Sequence, residues 1–316
     1  MQRTKPNEGE NMSRIVVSGL VNVETTLNIG QFPVEYSPIE YKFFGLKSNV
    51  AGVAYNVVKA LAILNDDVEL LSMVGKDGES KVVLEGIKNA GIKDGYILPK
   101  LNETPTSLIL FDTEGKRKIY CDLKDIQETE YPMENAEEAV KAADLVVACN
   151  CNFNRPLLKM AKELGKVIAT DVHVLADLND DYNREFMQYA DIVFMSDELI
   201  VSDNKNPWDF MKAMYAMYTP KVIVLGRGSK GALMYLGEND EFVELAAAKT
   251  GEVVNTVGAG DALFSAFVHF YAKGMAVEEC LKRAQIFASL KIAYNGASLG
   301  FASEDEIEGW YKKIYG

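Results

Sequence analysis

The stretch NTVGAGDALFSAFVHFYA, Asn255 to Ala272, decides how this chain is read. Its first half places three small residues, Gly258, Ala259 and Gly260, directly before Asp261. Small side chains leave backbone N–H groups open to a ligand. Its second half reads as a helix from Asp261 to Ala272. The apolar positions Leu263, Phe264, Ala266, Phe267, Val268 and Phe270 run nearly all the way round that helix, so it must be buried on most faces. A helix N-terminus carries unpaired donors and the positive end of the helix dipole. It is a ready seat for a phosphate or a developing oxyanion. A carboxylate in the first turn has two readings from the residues alone. Asp261 caps the helix, or it is a general base beside an anion hole.

Outward from this stretch, apolar runs alternate with amphipathic segments. Strands are expected at Ser13–Gly19, Val68–Val74, Asp144–Ala148, Lys166–Thr170, Ile192–Met195 and Val222–Leu225. Helices are expected at Val50–Asn65, Gly78–Ala90, Glu134–Ala142, Pro156–Leu164 and Pro207–Tyr218. This alternation predicts an α/β fold built on a mostly parallel sheet. Two stretches break the rhythm. Val21–Gly45 is rich in Phe and Tyr without helical period, and Thr104–Asp122 reads as a hairpin (SLILF, a polar turn, then KIYC). Both are expected to supply extra strands in a small separate sheet.

A second glycine string, GRGSKG from Gly226 to Gly231, matches a dinucleotide-binding pattern letter for letter. That motif needs a helix after it, whereas ALMYL follows here, so a tight hairpin is expected. No GxxxxGK[ST] loop occurs, which removes the P-loop NTPases.

Composition closes other routes. The 316 residues carry 46 acidic and 33 basic side chains, a formal net charge of −13, with 48% hydrophobic and 25% charged residues. Such a chain forms an ordinary globular core without disulfide or metal staples. Its acidity argues against nucleic-acid or membrane-surface partners. Two histidines and four cysteines, with no HExxH and no CxxC, leave little for zinc or thiol chemistry. Cys149 and Cys151 alternate along an expected strand and should share a face. Residues 1–12 are expected to be a disordered leader and 13–316 a single domain. The cysteine usage and the lack of a long apolar run suggest a cytoplasmic protein.

NTVGAGDALFSAFV resembles the C-terminal signature of the PfkB (ribokinase-like) carbohydrate kinases, and the likeness extends over nearly the whole chain after Met12. Ala51-Gly52-Val53-Ala54-Tyr55-Asn56 looks like the family's first Gly-rich motif, and Val74-Gly75-Lys76-Asp77-Gly78 like its VGxDxxG turn. Gly19 to Glu24 resembles the strand-end segment that reads sugar hydroxyls, and Ala190 to Glu198 the segment ending in an Asn-Glu pair. The resemblance implies a three-layer αβα sandwich with a mostly parallel sheet and a small β-sheet lid, built from about 21–45 and 104–122. It implies transfer of the γ-phosphoryl group of ATP, with Mg²⁺, to a primary hydroxyl of a sugar. By the same resemblance Asp261 would be the base, with the amides of Gly258, Ala259 and Gly260 holding the phosphoryl oxygens. Asn22, Glu24, Gly52, Asn56 and Asn152 would bind the acceptor. Ser196, Gly226, Arg227, Gly228 and Thr256 would border the nucleotide, and Asp197 would reach Mg²⁺ through water. Lid sheets in this family often pair, which implies a homodimer and suits the aromatics Phe32, Tyr36, Tyr41, Phe43 and Phe44.

The chain also departs from the pattern. Val53 stands where ribokinases carry a lysine, Glu24 where Asp is usual, and Ser196-Asp197 where Asn-Glu is usual. Asn255 replaces an Asp that in ribokinases helps bind a monovalent cation, which leaves K⁺ dependence open. Val53, the Asn-x-x-Gly-Ala-Gly-Asp form and Cys151-Asn152 look similar to pseudouridine kinases, so a nucleoside is the alternative acceptor. A non-catalytic sugar or nucleotide sensor is a further alternative, and one that would need no base at Asp261.

Overall fold

Strand Arg14–Ser18 (β1) is buried along all but its first residue. Ile15 and Val17 face one hydrophobic layer and Val16 the opposite one. A strand that is apolar on both faces belongs at the centre of a sheet covered on both sides. That is the arrangement in the computed structural model, which describes residues 12–113 and 116–316. The expected leader lies, apart from Met12, outside the described residues.

After β1 come β2 (Asn22–Gly30), β3 (Leu46–Ala51), α1 (Val53–Ile63), β4 (Asp67–Met73), α2 (Gly78–Asn89), β5 (Ile97–Leu98), β6 (Thr106–Asp112) and β7 (Arg117–Asp122). The middle of the chain supplies α3 (Glu137–Ala142), β8 (Leu145–Ala148), α4 (Arg155–Glu163), β9 (Val167–Val174), α5 (Arg184–Tyr189), β10 (Ile192–Ser196), α6 (Glu198–Ser202) and α7 (Pro207–Tyr218). The last third contains β11 (Val222–Gly226), β12 (Ala232–Leu236), β13 (Glu241–Leu245), α8 (Ala259–Ala272), α9 (Val277–Lys291) and α10 (Glu304–Tyr315).

The large sheet has nine strands in the order β13-β12-β11-β10-β9-β8-β1-β4-β5. It is parallel from β5 to β11 and closes with two antiparallel edge strands. Side chains of α1, α2, α8, α9 and α10 pack on one face, and those of α3 to α7 on the other. The chain runs from β1 outward to β4 and β5 and then returns to β8 on the other side of β1. Such a reversal opens a crevice at the carboxyl ends of the strands. Phe194 of β10 anchors α8 over that region, with ring centroids 5.0 Å from Phe264 and 5.2 Å from Phe267.

The small sheet has the order β3-β2-β6-β7. Its composition differs from expectation at one place. The partner of β2 is not found before Gly45 but at Leu46–Ala51, where the sequence reading began helix α1 at Val50. Val50 and Ala51 are apolar and β-competent as well as helix-compatible. Gly52, at φ 103, sets the boundary, because its backbone crosses Leu20 so closely that a Cβ would lie 2.4 Å from the Leu20 carbonyl oxygen. The expected hairpin is present as β6 and β7. The glycine string at Gly226–Gly231 is the hairpin between β11 and β12, with Gly226 opposite Ala232. The two cysteines do not share a face. β8 stops at Ala148, the chain turns, and Cys149 enters one core layer while Cys151 enters the other. No helix of the described residues is long and apolar enough to cross a membrane.

The VGxDxxG turn is a cap. Asp77 Oδ1 accepts from the Ser80 amide at 2.9 Å and starts α2, while Oδ2 accepts from the Thr104 amide at 2.6 Å. Burial works against the ionised carboxyl, but the hydrogen bonds from Thr104 and Ser80 outweigh it and hold the pKa at about 2. A depressed carboxylate stabilises the fold fully above its ordinary pKa and loses that contribution as pH falls toward the folded value. Asp77→Ala is therefore expected to cost about 1–2 kcal/mol in urea unfolding at neutral pH. The gap to the parent should narrow as pH falls from about 4 toward 2.

Candidate active site

The first turn of α8 begins two residues before Asp261, at Ala259. Gly258 is its N-cap at φ 77, and a Cβ there would lie 2.4 Å from the Ala297 carbonyl oxygen. Only glycine fits both demands. At Gly260 an added Cβ would meet nothing within 4 Å, so that face of the turn is open. The Val257 amide donates to Asn255 Oδ1 at 2.8 Å, and the Ala259 amide to the Thr256 carbonyl at 3.2 Å. Ala259 spends its N–H inside the turn, and the donors of this loop without a protein acceptor among the described residues are Thr256, Gly258, Gly260 and Asp261. Of these, Thr256 and Gly260 are exposed.

Asp261 is not a simple cap, since its side chain bonds none of its own helix's first amides. Instead Oδ2 accepts a hydrogen bond from Asn56 Nδ2 of α1 at 2.6 Å. Burial raises the Asp261 pKa. The Asn56 hydrogen bond and the charges of His173 and Lys291 pull it back down, while Asp171 pushes it up. A carboxylate held above the ordinary range is a stronger base than a free one, which suits proton abstraction from a hydroxyl.

Asn56 bonds this carboxylate directly, and Asn22 and Gly52 lie where β2 and β3 meet the start of α1. Asn22 opens β2 opposite Ala51 at the end of β3, next to Gly52, and Gly52 in turn caps α1, whose Asn56 amide donates to the Gly52 carbonyl at 2.9 Å. Asn22 is 5% exposed and Asn56 4%. Asn22 Nδ2 donates to Ser107 Oγ of β6 at 3.0 Å. The Oδ1 atoms of both asparagines are buried without a hydrogen-bond partner. Glu24, two residues along β2, has its pKa raised by burial and by the Asp261 charge, with Arg117 and Lys291 opposing, so it lies within the same field.

Other expected residues are placed differently. Asn152 bonds its own surroundings. Its side chain donates to the Gln127 carbonyl at 3.2 Å and accepts from Arg155, and these bonds pin the loop after β8. Ser196 and Gly226 face each other at the carboxyl ends of β10 and β11, with Gly226 next to Leu263 of α8, and Gly228 forms the hairpin turn beyond them. Arg227 is not a surface arginine. It pairs with Glu244, lies 3.7 Å from Asp197 and stacks 5.3 Å from the Trp208 ring. Asp197 therefore faces a guanidinium, and no group of three or more His, Cys, Asp or Glu among the described residues could hold a metal ion.

Three contributors escaped the sequence reading. Asp171 and His173 end β9, where the register with β10 shifts and His173 takes φ 60, a bulge of the kind that re-aims side chains at a sheet edge. Lys291, the last residue of α9, is fully buried and donates to the Val257 carbonyl. A signal for it existed. Cys280, Ala284, Phe287 and Lys291 follow helical spacing on one buried face, which is an odd place for a lysine.

A profile of the pfkB family carbohydrate kinases matches residues 12–304. The chain belongs to that family. It is a carbohydrate kinase with the ribokinase-like fold. Among its relatives, an ATP-dependent ribose-1-phosphate kinase of Halopiger xanaduensis is 24% identical over 292 residues, covering 90% of this chain and 94% of that one. A microbiome-derived acarbose kinase superposes with a TM-score of 0.85 at 19% identity, covering 96% and 100% of the two chains. Arabidopsis thaliana ribokinase complexed with ribose and ATP gives 0.79 at 20% identity, covering 96% and 99%.

If Asp261 is the base, Asp261→Asn should lower kcat by about 10²–10⁴ while leaving the melting temperature and nucleotide affinity near those of the parent. Asn56→Ala removes the donor that stabilises the ionised carboxylate. The acid limb of the kcat profile, set where Asp261 protonates, should move to higher pH in that variant.

Proposed function

We propose that this carbohydrate kinase transfers the γ-phosphoryl group of ATP to a primary hydroxyl of a sugar, with Asp261 as the general base. The observation that carries the acceptor side is the pair of unpartnered buried carboxamide oxygens, Asn56 Oδ1 on the side chain that bonds Asp261 and Asn22 Oδ1 where β2 meets the end of β3 just before α1. A buried acceptor without a donor costs about 1–3 kcal/mol. Hydroxyl groups of a bound sugar would supply the missing donors.

In this reading Asn56 serves two groups at once. Its Nδ2 keeps Asp261 ionised and its Oδ1 orients the acceptor. Asp261 takes the proton of the attacking hydroxyl as the oxygen–phosphorus bond forms. The amides of Gly258, Gly260 and Asp261, at the positive end of α8, receive the charge on the phosphoryl oxygens. Phosphoryl transfer asks for positioning and electrostatic stabilisation more than covalent help. The donor would enter as MgATP, whose Mg²⁺ would neutralise part of the phosphate charge. The carboxyl ends of β10 and β11, with Gly226 and Gly228, would border the nucleotide, and Ser196 and Thr256 would flank it. The four-stranded small sheet, which brings Asn22 and Glu24, would act as a lid that excludes water as a competing nucleophile. The exposed Tyr36, Tyr41, Phe43 and Phe44 on the segment between β2 and β3 would suit pairing of two lids in a homodimer.

ADP release measured across pentoses, hexoses, their 1-phosphates and nucleosides tests the reading. Turnover is expected with a sugar or sugar phosphate. The deoxy analogue that lacks the hydroxyl bound by the asparagines should lose on the order of 10⁴ in kcat/KM, as sites built around a buried hydrogen bond do. Turnover with nucleosides alone would overturn the sugar acceptor.

A further inference from the structure

Lys291 is a charge in an unusual place. It ends α9 on the face that also buries Cys280, Ala284 and Phe287. Its ammonium donates to the carbonyl of Val257, the residue that leads into Gly258 and the first turn of α8. The N–H of Val257 is held at the same time by Asn255 Oδ1 at 2.8 Å. Both polar groups of that residue are therefore gripped by side chains, one from the loop itself and one from the next helix. An ammonium has three donors, and among the described residues no carboxylate lies within 4.0 Å of this one. Burying a charge without a paired counter-charge is costly. The cost is offset only where negative charge gathers nearby.

That is the setting here. Asp261 and Glu24 both act on Lys291 as favourable charges, and Lys291 acts on both in return. We propose that Lys291 is a positioning residue, an ammonium tethered beneath the Val257–Gly260 loop. It fixes the Val257 carbonyl so that the amides beyond it face the transferring phosphoryl group, and it supplies a fixed positive charge under Asp261. The proposal rests on the reading of this loop as the phosphoryl seat. Because the cation is part of the chain, the loop needs no added monovalent cation to hold its shape.

The ionisation of the neighbours follows the same geometry. Burial brings the Lys291 pKa down to about 8, with Asp261 and Glu24 opposing that fall and Arg117 of β7 adding to it. The ammonium is thus mostly charged at neutral pH. Asp261 is also faced by Asn56 of α1 and by Asp171 and His173 of β9. Removing Lys291 alone takes one cation from this set. The carboxylate then becomes easier to protonate, and the acid limb of kcat moves up.

Three variants test this. Lys291→Met keeps the volume and removes the charge. It should weaken ATP binding by roughly tenfold in calorimetry, a readout that needs no acceptor, and should raise the acid limb of kcat. Lys291→Ala opens a space that a small cation can enter. Ammonium or potassium chloride at about 0.1 M should restore part of its ATP affinity, while choline chloride at equal ionic strength should not. The parent should keep its ATP affinity in choline chloride. ATP affinity in Lys291→Met within about twofold of the parent, equal rescue by choline and ammonium, or a parent that needs potassium would each overturn the proposal. Should Lys291→Met fail to fold, Lys291→Gln retains a donor for Val257 without the charge, and an unshifted acid limb in it would overturn the proposal. A protein that binds ATP but phosphorylates no sugar would defeat the acceptor assignment, while the ATP affinities and their rescue would still decide the role of Lys291.

Discussion

Asp261 is a half-buried carboxylate at the positive end of a helix, where burial works against its charged form. That constraint organises the rest of the structure. Asp261 meets it through Asn56, which lies on a helix at the other end of the sequence and donates at 2.6 Å. The bond ties α1 to α8, two helices on the same side of the sheet. Their relative placement then depends on Gly52 and Gly258. At each, the backbone runs so close to a neighbouring carbonyl that no side chain fits. The helix α8 can afford to be apolar over most of its surface because Phe194 and the sheet cover it. Its one acidic side chain sits at the end left open.

The distribution of unsatisfied groups is informative. Most buried polar side chains of a folded protein find partners. Here two of the exceptions are Asn22 Oδ1, opposite Ala51 at the end of β3, and Asn56 Oδ1, on the side chain that bonds Asp261. Elsewhere polar residues of similar type are fully occupied. Asn152 is spent on Gln127 and Arg155, and Asp77 on Ser80 and Thr104. The contrast separates residues that hold the fold from residues with capacity left for a ligand, even though all four belong to conspicuous motifs.

Much of the fold was legible beforehand. The six main strands and five of the helices follow from hydrophobic period, because a central parallel strand and an amphipathic helix must each bury a specific set of side chains. The places that were misread share a cause. Strand β3 is short and largely exposed, so its burial pattern carries little information, and only pairing with β2 defines it. Cys149 and Cys151 were expected on one face because a strand was extended past Ala148, where the chain in fact turns. The pairing of Arg227 with Asp197 across two separate strand ends is a contact that no local spacing reveals.

By itself, the sequence determined the run of small residues, an aspartate and a buried helix, and its resemblance to the family signature. It also determined the layered α/β plan, since periodicity is a local property. Only the tertiary structure decided which amides are free, which asparagines keep an open acceptor, and that Lys291 lies under the loop. Those outcomes depend on distances between residues far apart in the chain. A hydrogen bond exists or fails over a few tenths of an ångström, which residue order does not record.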